Sequence, residues 1–419
     1  MEQIVQDSVT TQRFMGTVLV ERDGQAILDK GYGSADLEWN IPNAPDTRFR
    51  LGSITKQFTA ASILLLEERG KLKVEDPISK YMPDEPAAWK NITFIHLLTH
   101  TSGIPSFTSF PDYEELQDRP VAPEQLVARF RNKPLEFQPG EKWNYSNSGY
   151  ALLGYLLEKI SGEPYCDFLQ QNIFTPLAMH DTGCDRNSVI LPRRASGYTP
   201  GPHGLENATY IDMTVPFSAG ELYSTTGDML RWQQALFGGK LLNAASVQKM
   251  TTPVKDNYGF GLEIETIKGN KRISHDGGIN GFSTSESWYP QEKLSIIVLS
   301  NVNGNAPSEI ADRLASVMHG EPVVLPSERK EIAVPVATLS RYVGVYQLAP
   351  KFSLTIALEG GHLTAQGTDQ PSAPIFASSP TRFFSRVVDA EIEFFSDATG
   401  KVDHLVLYQG GHESKGVKQ

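Results

Sequence analysis

The sequence comprises 419 residues, of which 40% are hydrophobic and 21% are charged, and its formal net charge is -11. This composition is typical of a globular protein, and no stretch reaches the roughly 20 apolar residues of a membrane-spanning helix. The acidic excess comes without a Lys/Arg run or a basic patch interleaved with aromatic residues. We therefore expect neither nucleic acid nor an anionic membrane surface as a partner.

The N-terminal stretch and the two cysteines bear on the cellular compartment. The opening residues, MEQIVQDSVTTQRF, lack the charged-then-apolar run of a secretory signal. The protein is then either cytoplasmic, or periplasmic or secreted after removal of a leader, and the sequence leaves both alternatives open. Cys166 and Cys184 show no CxxC or His-flanked spacing of the kind found in redox and zinc sites, so we interpret them as buried free thiols.

The first three quarters of the chain place strand patterns at both ends and helical patterns between them. Residues 16–32 predict two strands around an Asp-Gly turn, a strong hairpin signal. From about residue 53 to 250 the pattern is mainly helical, as in ITKQFTAASILLLEERG and SGYALLGYLLEKISG. Strand patterns return at residues 258–301 and precede a short helical pattern, PSEIADRLASVM. We expect the two ends to pair in one sheet with the helical region beside it.

The last part of the chain differs in kind. Proline and charge interrupt any periodicity in residues 321–337, as is typical of an interdomain linker. The residues that follow contain short alternating runs, such as YVGVYQL, EIEFFSD and HLVLYQ, which predict a small all-β barrel or sandwich. Because the chain exceeds the roughly 250 to 300 residues of one core, we expect a large domain at 1–325, a linker at 326–336 and a β domain at 337–419.

The spacing Ser-x-x-Lys occurs three times, as Ser53 with Lys56, Ser246 with Lys249, and Ser327 with Lys330. At least two of these pairs must be accidental. The third lies in the presumed linker and the second in a polar stretch, whereas Ser53 opens a strongly apolar helical pattern and follows Gly52. The context favours the first pair as a functional one.

Helix geometry gives the Ser53 and Lys56 pair a chemical meaning. Residues i and i+3 share a face, so the hydroxyl would lie beside the amine and next to backbone N–H groups that the first turn leaves unpaired. A nucleophile, a base and an anion site could coincide there. The alternative is that Ser53 only caps the helix and that Lys56 is a solvated charge.

Two further motifs follow this pair along the chain. Tyr145-Ser-Asn147 precedes a predicted helix, and His275-Asp-Gly277 lies between two strand patterns. Taken singly, Tyr145 could be a core aromatic, Asn147 a helix cap and His275 a loop histidine. Their occurrence together, in this order, favours one shared site.

The motifs SITK, YSN and HDG resemble those of the penicillin-recognising serine hydrolases of the class C β-lactamase type, a family that includes DD-peptidases, D-aminopeptidases and related esterases. LLTHTSGIP, QPGEKWNYSNSGYALLG and AGELYSTTGDMLRW are also similar to segments of that family. The tail resembles the lipocalin-like β domain that some members carry. The resemblance implies an α+β, β-lactamase-like fold, with an antiparallel sheet flanked by helices plus a helical subdomain, followed by a small all-β barrel.

The resemblance also implies roles for individual residues. Ser53 would be the nucleophile that forms an acyl-enzyme, and Lys56 and Tyr145 would act as a coupled base pair in which the resting base stays open. The backbone N–H groups of Ser53 and Gly278 would form the oxyanion hole. The expected substrate contacts come from Asn147 on the acyl side, His275 on the leaving-group side, and Gly277. No metal and no organic cofactor is implied.

The third motif narrows the substrate. β-Lactamases of this type usually carry Lys-Thr-Gly there, whereas His-x-Gly occurs in DD-peptidases and D-aminopeptidases. HDG therefore favours a peptidase acting on a small-molecule or short-peptide amide, with side esterase activity, and Asp276 would disfavour a free carboxylate if it faces the cleft. The alternatives are a carboxylesterase, a weak β-lactamase and, from a different class, a non-catalytic ligand- or peptide-binding protein on the same fold.

The β tail has two interpretations. Lipocalin-like barrels can hold a lipid-like ligand in their interior. We favour the alternative that the tail is a docking or oligomerisation module that restricts access to the cleft, which is compatible with a homo-oligomer.

Overall fold

The structure is a computed structural model, and it describes residues 1–419 except 351, 369, 371, 387–389 and 410–411. The chain divides into two compact units, residues 12–311 and residues 312–419 together with 1–11. The linker predicted from the sequence falls inside the second unit, and its bounds stay a prediction.

The helices of the described residues are α1 Glu2–Thr10, α2 Thr55–Glu68, α3 Phe94–Leu98, α4 Tyr113–Leu116, α5 Pro123–Arg131, α6 Asn147–Ser161, α7 Tyr165–Leu169, α8 Thr226–Phe237, α9 Ala244–Met250, α10 Ala306–Met318 and α11 Val336–Leu339. None of them is long and apolar enough to cross a membrane.

The strands of the first unit are β1 Gly16–Arg22, β2 Gln25–Tyr32, β3 Ser34–Asp36, β4 Ile41–Pro42, β5 Phe49–Arg50, β6 Gly183–Cys184, β7 Tyr198–Gly201, β8 Gly204–Asn207, β9 Leu222–Ser224, β10 Glu263–Ile267, β11 Asn270–Ile279, β12 Phe282–Tyr289 and β13 Leu294–Ser300. Those of the second unit are β14 Gly344–Ala349, β15 Phe352–Glu359, β16 His362–Gly367, β17 Ala373–Ala377, β18 Arg382–Ser385, β19 Ala390–Ser396, β20 Val402–Gln409 and β21 His412–Lys418.

The main sheet of the first unit joins both of its ends, as the sequence predicts. Its strand order is β10-β11-β12-β13-β1-β2, with β1 antiparallel to both β2 and β13. Asp23 and Gly24 form the turn between β1 and β2, and both have a positive φ, which matches the twist of a two-residue hairpin. Every residue of β13 is buried, so this strand lies in the centre of the unit.

The helical region is built around α2. All residues from Thr55 to Leu66 are buried, so this helix is covered on every side rather than amphipathic. Helix α6 packs against it, begins after the N-cap Ser146 and ends at Gly162 in the left-handed conformation. The two helical patterns of the sequence, which both end in glycine, correspond to α2 and α6.

The C-terminal strands form a closed antiparallel barrel, β14 to β21, in which β21 returns to pair with β14. The choice between barrel and sandwich is thereby settled in favour of the barrel. Over the described residues its interior contains packed side chains, among them the mutually contacting rings of Tyr342, Phe383 and Phe394. Packing of this kind stabilises the barrel. A pocket of about 370 Å³ remains beside Leu363, Ile375 and Phe383.

The interpretation of the cysteines as free thiols is wrong. Cys166 and Cys184 form a disulfide that joins α7 to β6, with their Cα atoms 6.0 Å apart. The pairing is a consequence of tertiary structure, since 18 positions separate the two residues along the chain and no local spacing motif marks them.

Candidate active site

Ser53 lies in a tight turn, Gly52–Ile54, that leads directly into α2. Gly52 has a φ of +55°, and a Cβ there would come within 2.8 Å of the backbone nitrogen of Gly278. Both its left-handed conformation and this close approach require glycine. The Thr284 hydroxyl donates to the carbonyl of Leu51 at 2.8 Å and ties the same turn to β12. The turn therefore places Ser53 against the main sheet.

Lys56 is fully buried and points its amine at Ser53. Its Nζ lies 2.8 Å from Ser53 Oγ, 2.9 Å from Asn147 Oδ1 and 2.9 Å from the carbonyl oxygen of Ala219. No carboxylate of the described residues forms an ion pair with this amine in the structure. Because burial disfavours the charged form, the pKa of Lys56 lies well below its ordinary value.

All three partners of Lys56 can accept a hydrogen bond, and the neutral form that burial favours is compatible with them because the Ser53 hydroxyl can also donate. A neutral –NH2 group has two hydrogens and one lone pair, and the carbonyl oxygens of Asn147 and Ala219 can only accept. The two hydrogens fit these acceptors, which leaves the lone pair directed at the Ser53 hydroxyl. In this arrangement Ser53 can donate its proton to Lys56.

Asn147 is held in place by the segment 105–108. Its backbone N–H donates to Ser106 Oγ at 3.1 Å, and its side-chain Nδ2 donates to Thr108 Oγ1 at 3.1 Å. The preceding Ser146 donates through its hydroxyl to the carbonyl of Ile104. The side-chain amide of Asn147 thus links Lys56 to Thr108, and Asn147 also lines the cleft.

Tyr145 stacks over the same amine. Its ring centroid is 4.8 Å from Lys56 Nζ, and its ring lies 4.2 Å from that of His100. Removal from water raises the pKa of the Tyr145 phenol, and the neighbouring Ser53 hydroxyl only partly opposes the rise. The raised pKa keeps the Tyr145 phenol protonated, and the lowered pKa of Lys56 favours its neutral amine. Which of the two is the resting base stays a prediction.

His100 is a residue that the sequence analysis did not assign. It is 1% exposed, has a φ of +57°, and accepts a hydrogen bond through Nδ1 from the backbone N–H of Ser146 at 3.0 Å. Ser146 lies between Tyr145 and Asn147, so His100 positions both side chains of that motif. The only signal in the sequence was its place in LLTHTSGIP.

The structure places His275 differently from the prediction. The ring is 3% exposed, its Nε2 lies 2.8 Å from Tyr258 Oη, and its Nδ1 lies 2.6 Å from the carbonyl oxygen of Asp276. Burial, with the nearby Lys56 as a second cause, lowers the pKa of His275 to about 3. The ring faces inward and is not among the described residues that line the cleft, so the structure does not place it where the predicted leaving-group contact would be made.

The two glycines of β11 have different surroundings. A Cβ at Gly277 would lie 1.9 Å from the carbonyl oxygen of Leu51, whereas one at Gly278 would meet nothing within 4 Å. Gly277 therefore permits the Ser53 turn to pack on the strand rather than a substrate to approach, which corrects its predicted role. Gly278 is on the open side, as is the exposed Asp276, whose Oδ2 accepts from Ser308 Oγ at 2.7 Å.

A cleft of about 390 Å³ opens above Ser53. Ser53, Asn147 and Gly278 are the lining residues predicted from the sequence, and Ala219 and Gly220 begin the family-like segment AGELYSTTGDMLRW. The remaining lining residues come from distant parts of the chain and were not predicted, and they are Phe107, Thr108, Tyr113, Thr199, Ala208, Thr209, Ile211, Pro216, Ile279, Asn280 and Asn303. No lining residue among those described carries a charge.

One group of described side chains has the geometry to ligate a metal, and it consists of Cys166, Cys184 and Glu221. The two sulfurs are joined in the disulfide, so they are not available as thiolate ligands. This group lies outside the residues that line the cleft.

Two family models match the chain. The Beta-lactamase family matches residues 1–317, and a domain of unknown function, DUF3471, matches residues 328–417. The second match spans the barrel strands and assigns them no activity.

Penicillin-binding protein 4* of Bacillus subtilis (strain 168) is 32% identical to the chain over 434 residues, which cover 97% of this chain and 95% of that protein. Teichoic acid D-alanine hydrolase of Staphylococcus aureus is 28% identical over 297 residues, 70% of this chain and 71% of that protein. The octameric penicillin-binding protein homologue from Pyrococcus abyssi superimposes with a TM-score of 0.71 at 24% identity, covering 100% of this chain and 98% of that one. The chain belongs to the Beta-lactamase family, as a hydrolase related to the penicillin-binding proteins with a class C β-lactamase-like fold and a C-terminal barrel.

Proposed function

We propose that the protein is a serine hydrolase that cleaves amide or ester bonds of D-amino-acid substrates through an acyl-enzyme on Ser53. The observation that carries this proposal is the buried amine of Lys56, 2.8 Å from Ser53 Oγ and without a carboxylate partner among the described ion pairs. A buried amine is costly to keep in a fold and is retained where its lone pair is used.

Acylation begins with attack of Ser53 Oγ on the substrate carbonyl carbon, as the hydroxyl proton passes to Lys56. The developing oxyanion accepts hydrogen bonds from the backbone N–H groups of Ser53 and Gly278, which the close packing of Gly52 on Gly278 brings together. The bond to the leaving group then breaks, and the proton held by Lys56 reaches the leaving nitrogen or oxygen with the Tyr145 phenol as relay. In deacylation, water attacks the acyl carbon and gives up a proton to the base pair of Lys56 and Tyr145. The proton then returns to Ser53 Oγ as the bond to the acyl group breaks, which releases the acid.

The substrate class follows from the uncharged lining of the cleft. A DD-carboxypeptidase substrate carries a free carboxylate next to the scissile bond, and the cleft offers it no cation among its described lining residues. The exposed Asp276 on the same side of β11 as Gly278 would repel such a group. D-Aminoacyl amides and esters without that carboxylate fit better, and the D-alanine hydrolase named among the relatives supports the D configuration.

The homo-oligomer and the docking role of the barrel stay predictions. The octameric homologue from Pyrococcus abyssi supports the first of them. The ring packing of Tyr342, Phe383 and Phe394 inside the barrel is compatible with a docking role.

The test is hydrolysis of the amide and the p-nitrophenyl ester of D-alanine, with the L enantiomers and an acyl-D-Ala-D-Ala peptide as comparison substrates. Wild type should prefer the D-alanine compounds, and Ser53→Ala should lower kcat by about 10³-fold or more while the protein stays folded. Ser246→Ala is the matched control, since it removes the serine of another Ser-x-x-Lys pair and should leave the rate unchanged. Ser53→Ala activity within tenfold of wild type would overturn the proposal.

A further inference from the structure

A second cavity, of about 570 Å³, lies next to the cleft in the first unit. The two cavities are adjacent, because they share four lining residues, Ala208, Thr209, Ile211 and Asn280. Arg50, which lines the second cavity, precedes Ser53 by three positions, and their Cα atoms can be at most about 11 Å apart. A substrate held at Ser53 is within short reach of this cavity.

The second cavity contains two arginines and one buried counter-charge. Arg50 Nε donates to Asp185 Oδ2 at 2.7 Å, and Arg194 Nη1 donates to Asp185 Oδ1 at 2.5 Å. The Asp185 side chain is 1% exposed and beneath the guanidinium groups, so the three charges sum to one net positive charge. No other charged side chain of the described residues lines the cavity.

The arginines keep donors free for a ligand. The contacts with Asp185 use one nitrogen of each guanidinium, and neither Nη of Arg50 has a hydrogen-bond partner among the described residues. The Arg50 guanidinium also lies 5.7 Å from the centroid of the Phe282 ring, which restricts its orientation. A fork of N–H groups fixed in this way is suited to the oxygens of a phosphate or a carboxylate.

Carboxylates lie behind the cavity wall rather than in its lining. The exposed Tyr210 donates to Asp212 Oδ2 over a long 3.5 Å contact, and Asp212 does not itself line the cavity. Two lining residues, Ser196 and Asn207, donate to Asp36 and Glu38, which also do not line it. The arginines are therefore the charged groups that face the cavity.

We infer that the second cavity binds an anionic group, a phosphate or a carboxylate, carried by the same substrate whose acyl bond lies at Ser53. This inference rests on the proposed function and extends it, because it makes the preferred substrate an anionic D-aminoacyl compound with the charge placed away from the scissile bond. The uncharged cleft then selects the acyl group, and the arginine cavity selects the remainder of the molecule.

The first experiment measures binding without catalysis. Inorganic phosphate is titrated into the full chain by calorimetry at constant ionic strength, with wild type, Arg194→Gln and the matched control Arg48→Gln. Arg48 pairs with Asp181 outside the cavity. Wild type and Arg48→Gln should bind phosphate alike and Arg194→Gln about tenfold more weakly, the loss expected for one charge-assisted contact. Equal binding by all three proteins would overturn the anion site, whatever the chemistry at Ser53.

Arg194→Lys guards against a folding artefact. It keeps the positive charge next to Asp185 without the guanidinium fork, so it should bind phosphate more weakly than wild type and more tightly than Arg194→Gln. Thermal unfolding of all variants shows whether they are folded. Tighter binding by a folded Arg194→Gln than by a folded Arg194→Lys would overturn the assignment. Loss of binding in a folded Arg48→Gln would contradict the assignment of the site to this cavity.

The second experiment tests whether an anionic group on the substrate, bound in the second cavity, raises the rate of hydrolysis. The D-alanyl ester of glycerol is compared with the D-alanyl esters of glycerol phosphate and of glycerol hemisuccinate, which add a phosphate or a carboxylate. In wild type and Arg48→Gln one of the anionic esters should have a kcat/KM about tenfold above the neutral ester, and Arg194→Gln should bring this ratio near one. A ratio near one in wild type would overturn the substrate assignment, while no turnover of any ester would overturn the proposed function and leave the phosphate titration to decide the site.

Discussion

The first unit and the barrel strands of the second differ in how many ionisable side chains they bury. Among the described residues of the first unit, the most deeply buried ionisable side chains are Glu21, Lys56, His100, Asp185, Glu221, Asp228, His275 and Glu286. Among the described residues of the barrel strands, the buried polar side chains are limited to Thr364 and Ser385. The barrel interior consists instead of aromatic and aliphatic residues.

This difference shows where each unit can do chemistry. A buried ionisable group lowers the stability of a fold unless it is paired or neutral, so a cluster of them next to a cleft marks a site at which proton transfer is organised. An apolar interior gains stability from every contact and offers no group that can exchange a proton. The comparison therefore assigns the reaction to the first unit and a structural part to the barrel interior.

The largest expected effect comes from Lys56→Met, which removes the amine and keeps the volume. Since the base beside Ser53 is lost, kcat should fall by about 10³-fold or more. The unfolding free energy should change by less than about 2 kcal/mol, because the loss of hydrogen bonds to Asn147 and Ala219 is offset by removal of a buried polar group. Enzyme kinetics and thermal unfolding measure the two effects.

Lys249→Met is the control for this change. Lys249 is the lysine of another Ser-x-x-Lys pair and contacts Glu67 at 2.9 Å, far from the cleft lining. It should leave kcat unchanged. Retention of activity in Lys56→Met would refute the lysine as base and would direct attention to Tyr145.

The next effect concerns stability rather than rate, and Phe394→Ala measures it in the barrel. Phe394 is 2% exposed and stacks on Tyr342 at 4.3 Å, so its truncation should cost about 3 to 5 kcal/mol of unfolding free energy. The neighbouring Phe395 faces the other side of β19 and contacts His404, and Phe395→Ala should cost much less. Calorimetric unfolding compares the two variants, and hydrolysis at a temperature where both are folded should match wild type. Equal losses would mean that the barrel interior is not its core.

The smallest effect is a pH dependence of stability that Glu286 causes. Burial raises the pKa of Glu286 to about 8, although hydrogen bonds from Gln57 and Gln233 oppose the rise. Between about pH 4.5 and 8 the folded protein holds a proton on Glu286, whereas the unfolded chain has released it. The free energy of unfolding is therefore highest below this range, and it falls as the pH rises through the range. In Glu286→Gln this fall should be smaller by about 3 kcal/mol between pH 5 and pH 8, since each pH unit of differential protonation contributes about 1.4 kcal/mol.

Denaturant unfolding at the two pH values measures this contribution. The exposed Glu75 serves as the control, and Glu75→Gln should keep the pH dependence of wild type. An unchanged pH dependence in Glu286→Gln would show that the buried carboxyl is not the group that holds the proton.

Local patterns in the sequence were sufficient for most of the fold and for the centre of the site. The Asp23-Gly24 turn, the helical periodicity after residue 53 and the alternating strands of the tail are local features, and each appears where it was predicted. Ser53 and Lys56 share one turn, so their contact was also predictable from helix spacing.

Features that depend on distant parts of the chain were not predictable. The disulfide joins residues 18 positions apart, and the lining of the cleft by Thr209, Asn280 and Asn303 arises where separate loops converge. The sequence singles out His275 as a motif residue, but its inward orientation depends on the contact with Tyr258. Spacing alone shows which residues share a region, and only packing shows which face each side chain takes.

The central claim is that Ser53 forms a covalent acyl-enzyme, and an acid-quenched mass measurement tests it most directly. Wild type and Ser53→Ala are mixed with the p-nitrophenyl ester of D-alanine, stopped with acid within the first turnover, and analysed as intact proteins and as peptides. The account predicts that wild type gains the mass of one D-alanyl group on the peptide that contains Ser53, and that Ser53→Ala gains none. An adduct on another residue, or one that persists in Ser53→Ala, would contradict it.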